Sequence, residues 1–136
     1  MDSQLFRIRT GGTAGVFDIT GRVAEFVRGK GHGLVSVFVP HSTAGLAIVE
    51  TGSGSDSDLA RHLDELFPRD ARWAHRHGSM GHGADHVIPA FVSPSAVIPV
   101  FDGTMALGIW QSVVLVDSNR ENHQRSVRVT FLPAPH

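Results

Sequence analysis

Two polar stretches of the sequence carry side chains suited to chemistry. The first is His41-Ser42-Thr43, an imidazole and two hydroxyls between two apolar, β-branched runs. A histidine held between buried strands can act as a general base, a metal ligand or a hydrogen-bond donor to an anion. It can equally be a core histidine bonded to a backbone group, and the residue types leave both interpretations open.

The second stretch holds four histidines, His75, His77, His82 and His86. His-x-His in a strand places both imidazoles on one face, and a spacing of four residues does the same in a helix. Neutral imidazoles favour zinc and other transition metals. The alternative is a polar, glycine-rich surface loop, because the spacing matches no standard zinc motif.

Three acids lie near these histidines in sequence: Glu50, Asp58 and Asp85. Each is a candidate to orient an imidazole through a carboxylate hydrogen bond, although Asp58 also suits a helix start. Trp110 is expected in the core, and the neighbouring Gln111 would then need hydrogen-bond partners for its amide.

Composition narrows the classes of function. The 136 residues fit one domain spanning 1–136, and a formal net charge of −1 argues against nucleic-acid or membrane-surface binding. No cysteine is present, which excludes disulfides and thiolate zinc sites. The first residues show no apolar run typical of a secretory signal, so we expect a cytoplasmic protein.

Apolar periodicity predicts the elements that position these groups. Two amphipathic helices are expected, one after Asp18 and one from Asp56 to the helix-ending Pro68. Residues 87–92 contain Pro89 and are expected to form either a third short helix or an edge segment. Strands are predicted at 4–9, 15–19, 33–39, 46–50, 97–101, 104–116 and 125–132. The first two strands should pair as a hairpin, and Asp102-Gly103 should form a type I′ hairpin turn. About seven antiparallel strands with two or three helices and no βαβα alternation indicate an α+β fold.

Several separated motifs resemble one known family. The run from His41 to Leu46, followed by Glu50, resembles the H-[ST]-[ST]-A-G-L…E motif of the YjbQ family, whose members are named secondary thiamine-phosphate synthase enzymes. The family's A-H-L…G-P-S…I-P-V…G…L-G-T-W-Q pattern is similar to this chain at His86, Ser93-Pro94-Ser95, Ile98-Pro99-Val100, Asp102-Gly103 and Leu107 to Gln111. The resemblance covers essentially the whole chain.

The resemblance implies a compact antiparallel β-sandwich that assembles as a homotrimer, with histidines near the subunit interfaces. It also implies a divalent metal (zinc or magnesium) or a small phosphorylated molecule in the histidine pocket. The activity it implies is a weak coupling of a pyrimidine diphosphate to a thiazole phosphate. The alternative is a non-catalytic trimer that binds a metal or an anion, so whether the chain is an enzyme stays open.

Site roles follow from this hypothesis. The catalytic candidates are His41, His86 and Glu50, and the metal candidates are His41, His77 and His86. The candidates for binding substrate are Ser42, Thr43, Asp58, Gln111 and Arg125.

Three features depart from the family pattern. His82 stands where the family has asparagine, and Asp85 replaces a small residue just before His86. Residues 119–125 lack the family's D-x-P-R-x-R ending, for which Arg120 and Arg125 are the possible substitutes.

Overall fold

The computed structural model describes residues 1–12 and 14–135. These residues form three α-helices, α1 (Thr20–Val27), α2 (Ser55–Leu66) and α3 (Gly83–Val87), and a 3₁₀ turn at Ile88–Ala90. They also form eight strands, β1 (Asp2–Arg9), β2 (Gly15–Asp18), β3 (Gly33–Phe38), β4 (Ala44–Val49), β5 (Ser95–Phe101), β6 (Thr104–Met105), β7 (Ser112–Asp117) and β8 (Gln124–Pro133). In the described part of the chain, no helix is long and apolar enough to cross a membrane.

The strands lie in two antiparallel sheets. One has the order β1-β8-β3-β5-β6 and the other the order β2-β7-β4. Buried side chains from both sheets pack together, including Val35 and Val129 from the larger sheet and Leu115 from the smaller. The predicted α+β fold, with antiparallel strands in a sandwich, is therefore confirmed.

The predicted hairpin between the first two strands is wrong. All eight residues of β1 pair with β8, whereas the four residues of β2 pair with β7 in the other sheet. The long, regularly alternating β1 finds a partner of matching length in the ten-residue β8. Local alternation predicts a strand but does not identify its partner, because the side-chain period is the same for every strand.

The predicted long strand at 104–116 is interrupted. The β5–β6 hairpin forms as expected, with positive φ at Asp102 (52°) and Gly103 (74°), as a type I′ turn requires. The chain then leaves this sheet and enters the other one at β7. Trp110 lies in the connection and is 72% exposed, so its expected place in the core is wrong.

The helices cover only part of the sandwich. The α1 side chains Val23 and Val27 are fully buried in the main core. Leu63 of α2 and Ile88 of the 3₁₀ turn pack against Val114 and Val116, on the outer face of the smaller sheet. Apolar side chains on the outer face of the larger sheet remain between 41% and 61% exposed; they are Leu5, Leu34, Phe38, Val97, Phe101 and Leu132.

A close backbone approach fixes the chain after the histidines against β4. The Leu46 N–H donates to the Ser93 carbonyl at 2.8 Å. A Cβ atom added at Gly45 would lie 2.0 Å from the Val92 carbonyl oxygen, well inside contact distance. The segment that follows α3 is therefore held on the edge of the strand that carries the His41 motif.

We expect Gly45→Ala to lower the free energy of unfolding by at least about 2 kcal/mol, because backbone must move to admit the methyl group. Gly21→Ala is the matched control. Gly21 lies in α1 with no heavy atom within 4 Å of its added Cβ, so we expect stabilisation of about 0.5–1 kcal/mol. Urea unfolding of both variants measures the two effects. Equal stability of Gly45→Ala and the wild type would contradict the packing described for β4.

Candidate functional site

Four imidazoles form a histidine cluster: His75, His77, His82 and His86. Their ring centroids lie between 3.8 Å (His75–His77) and 6.1 Å (His77–His86) apart. His82 directly precedes α3 and His86 lies within it, so the predicted spacing of four does place both on one helical face. The sequence therefore folds its histidine-rich segment into one compact group.

The closest polar contact in the cluster joins two ring nitrogens. Nε2 of His82 lies 3.2 Å from Nε2 of His86. The other nitrogen of His82, Nδ1, lies 3.1 Å from a carboxylate oxygen of Asp85. An ionised carboxylate only accepts, so Nδ1 donates to Asp85 and Nε2 is the nitrogen that faces His86.

Asp85 is held in place by an arginine. Its carboxylate is 1% exposed and accepts two hydrogen bonds from Arg69, at 2.5 and 3.0 Å. The same guanidinium donates to the carbonyl of Ser118, directly after β7. Bidentate pairing of this kind fixes orientation as well as neutralising charge.

The environment favours neutral imidazoles. Loss of hydration lowers the pKa of His75 and of His86, and the neighbouring histidines lower both further. Nδ1 of His75 is buried and has no hydrogen-bond partner among the described residues. Neutral rings offer lone pairs, which metal ions require. As the side chains stand in residues 1–12 and 14–135, no three histidine or acidic groups converge on one point.

The cluster is positioned by tight packing beneath α3. The indole N–H of Trp73 donates to the Pro68 carbonyl at 2.8 Å. A Cβ atom at Gly83 would lie 2.5 Å from Cβ of Trp73, so only glycine allows the helix to approach this closely. Trp73 and Gly83 therefore set the distance between the loop that carries His75 and the helix that carries His86.

A second polar group surrounds a buried ion pair. Arg125 is 2% exposed and binds Asp117 through Nε at 2.8 Å and Nη2 at 2.9 Å. Nη2 also donates to the hydroxyl of Thr43 at 2.8 Å. Substrate binding by Arg125 and Thr43 stays a prediction, and in the single chain both groups are occupied by these internal bonds.

His41 belongs to this second group and not to the histidine cluster. Its Nε2 accepts the backbone N–H of Ser126 at 2.9 Å, as the core-histidine interpretation predicts. Partial burial and then the Arg125 charge lower the pKa of His41, while Asp117 raises it. Within the described chain no ring contact joins His41 to the cluster, so the predicted metal set His41, His77 and His86 is not assembled by one subunit.

The remaining predicted residues lie apart from the cluster. Asp58 is exposed on α2 and pairs with Arg61 at 2.8 Å, and Glu50 follows β4, half-buried. Gln111 is exposed, and its Oε1 accepts the Gly108 N–H at 2.7 Å. Ser42 is also exposed. Their catalytic or binding roles stay predictions, and the contact that orients a histidine is made by Asp85.

Comparison with known proteins identifies the family. The family model described as "UPF0047 protein YjbQ-like" matches residues 4–134. This chain belongs to the YjbQ-like UPF0047 family.

Other UPF0047 proteins share its sequence and fold. A member from Mycobacterium tuberculosis is 56% identical over 117 residues, covering 86% of this chain and 88% of the relative. One from Methanothermobacter thermautotrophicus is 30% identical over 136 residues, covering 98% of this chain and 93% of its own. A crystal structure of a hypothetical protein from Aeropyrum pernix has a TM-score of 0.88 at 29% identity, covering 98% of this chain and 100% of that one.

Sequence reasoning missed two residues of this UPF0047 chain, Arg69 and Asp117. Arg69 binds Asp85 next to the histidine cluster, and Asp117 binds Arg125 in the second polar group. Arg69 directly follows the helix-ending proline and gives no signal that it binds a carboxylate 16 residues later. Asp117 ends an apolar strand, where a lone acid is a weak sign of a buried partner. His75 and His82 stood in the histidine-rich segment but were absent from the predicted metal set.

We expect Asp117→Ala to destabilise the fold by about 3–5 kcal/mol, because it leaves a buried guanidinium without its carboxylate. Asp58→Ala removes an exposed acid from an exposed pair and should change stability little. Denaturant unfolding compares the two variants. A fully stable Asp117→Ala protein would contradict a structural role for the pair.

Proposed function

We propose that this UPF0047 protein binds a divalent metal, zinc before magnesium, at the histidine cluster and acts there on a small phosphorylated molecule. The observation that carries the proposal is the approach of two imidazole Nε2 atoms to 3.2 Å within a group of four rings. Imidazole nitrogen suits zinc, whereas magnesium prefers oxygen ligands.

The donor set supports metal binding. His77 and His86, two of the three predicted ligands, both lie in the cluster, and the buried, unpartnered Nδ1 of His75 is a further donor. A bound zinc ion would supply Lewis acidity toward a phosphate oxygen. Binding needs small side-chain rotations of His75 or His77, because three donors do not yet converge.

A cleft beside the cluster is suited to the phosphorylated molecule. It has a volume of about 250 Å³, and its lining includes Trp73, His75, Arg76 and Asp70, with glycines at 78 and 81. The Asp70 carboxylate is paired with Arg72. Arg69 and Arg125 are bound to carboxylates, whereas Arg76 has no carboxylate partner within the described residues. Arg76 is therefore the cation at this cleft that is available to a phosphate.

The reaction proposed is the coupling named for the family. The bond between the pyrimidylmethyl carbon and its diphosphate oxygen breaks, pyrophosphate leaves with the bonding electrons, and the thiazole nitrogen forms the new carbon–nitrogen bond. Here Arg76 would hold the leaving phosphate charge, and Trp73 would offer its face to a planar ring.

A second candidate is a metal-binding protein without turnover. It is favoured by the separation of His41 from the cluster and by the neutralisation of Arg69 and Arg125. Both features leave fewer groups for acid–base or phosphate chemistry in one subunit.

Assembly into a homotrimer is part of the proposal. The outer face of the larger sheet carries six exposed apolar side chains, and at one end of it Leu34 lies between Leu132 and Pro99. Exposed apolar side chains gathered on one sheet face often mark a protein contact, so we assign this face to contact between copies of this chain.

We expect His86→Ala to lose bound metal and to reduce any coupling rate at least tenfold. His62→Ala is the control, since His62 is exposed on α2 beside Glu65. Elemental analysis of the purified proteins and mass-spectrometric detection of thiamine phosphate give the two readouts. Metal binding without product would support the non-catalytic candidate, and neither metal nor product in the wild type would refute the proposal.

We expect Leu34→Lys to shift the protein toward monomers, because it places a charge within the apolar contact. Leu66→Lys, at a 71% exposed position on α2, should leave assembly unchanged. Light scattering coupled to size-exclusion chromatography measures both. A wild-type monomer, or a Leu34→Lys trimer, would contradict this interface.

A further inference from the structure

We infer that His82 is a metal ligand, and that Asp85, anchored by Arg69, is the residue that positions it. The inference rests on the proposed metal-binding function. It differs from the ligand set predicted from the sequence, which contained His41, His77 and His86.

The separation of the two ring nitrogens supports this assignment. Two imidazole nitrogens bound to one tetrahedral zinc, at about 2.0–2.1 Å each, lie about 3.3–3.4 Å apart. Nε2 of His82 and Nε2 of His86 are 3.2 Å apart. The spacing of the pair therefore matches two adjacent corners of a zinc site, and binding requires each ring to turn its Nε2 toward the shared ion.

The partner of His82 fixes the tautomer that a ligand needs. Because Nδ1 donates to Asp85, Nε2 is the nitrogen left to bind a metal, and it faces His86. Arg69 binds the carboxylate at both oxygens, so Asp85 cannot turn away from the ring. A carboxylate behind a metal-bound histidine orients the ring and raises its basicity.

His82 and Asp85 form a buried pair. His82 is 6% exposed and Asp85 is 1% exposed. A buried carboxylate is costly unless it is paired, and Asp85 is paired both with Arg69 and with Nδ1 of His82. Burial and pairing together hold the His82 ring in one orientation.

Further ligands are within reach. The ring of His75 is 4.1 Å from that of His86 and 5.6 Å from that of His82, and His77 lies 3.8 Å from His75. The unpartnered Nδ1 of His75 gains a bond if its ring turns toward the His82–His86 pair. One or two of these rings would complete three or four ligands.

The test measures metal affinity and not turnover. Metal-free full-length protein is titrated with Zn²⁺ by calorimetry, and with Co²⁺ while visible absorption reports tetrahedral coordination. We expect His82→Asn, which removes the imidazole but keeps a polar side chain, to weaken Zn²⁺ binding and to lower the tetrahedral Co²⁺ signal. Asp85→Asn should keep one site per chain but weaken binding about 10–100-fold, and His62→Asn should match the wild type.

Nitrogen-15 NMR of the histidine rings gives a readout that needs no variant at the site. Addition of Zn²⁺ to the wild type should shift the Nε2 signal of His82 and leave its Nδ1 protonated. Unchanged His82 signals, or wild-type affinity in His82→Asn while His86→Ala fails to bind, would overturn this inference alone. A wild type that binds no Zn²⁺ would overturn the proposed metal function as well.

Discussion

The buried pair of Asp117 and Arg125 joins the end of β7 in one sheet to the start of β8 in the other. Neither charge is stable in this position without its partner, so the connection between these strands has one favourable arrangement. Thr43 bonds to the same guanidinium, and His41 bonds to the backbone of the next residue, Ser126. The His41 stretch is thus attached to the junction of the two sheets.

The histidine cluster is attached to the same junction through a second chain of hydrogen bonds. The carbonyl of Ser118, directly after Asp117, accepts from Arg69, which holds Asp85 and through it His82. The two polar groups therefore share one rigid support while remaining separate within a subunit.

Much of the fold was predictable because it depends on local pattern. The alternation of apolar and polar residues predicted where the strands lie. Asp102-Gly103 predicted its turn, because these residue types readily adopt the positive φ that the turn requires. The pairing of β1 with β8 was not predictable, because nothing local links residues more than a hundred positions apart.

The site divides in the same way. The spacing of His82 and His86 predicted that they share a face, because helical geometry alone sets it. The ion pairs of Asp85 and Asp117 depend on how distant segments meet, so the sequence offered no sign of Arg69. The hydrogen bond from the Ser126 N–H to His41 was not predictable for the same reason, because the motif around His41 does not show which segment it faces.

Asp85 also constrains how this site can change over evolutionary time. The carboxylate is almost fully buried, and Arg69 supplies its only permanent positive charge among the described residues. Loss of Arg69 alone would leave the buried Asp85 carboxylate without a positive partner, whereas loss of His82 alone would leave the Arg69–Asp85 ion pair intact. Arginine at 69 and aspartate at 85 should therefore be retained or lost together in evolution, whereas the histidine at 82 can be replaced without leaving the acid unpaired.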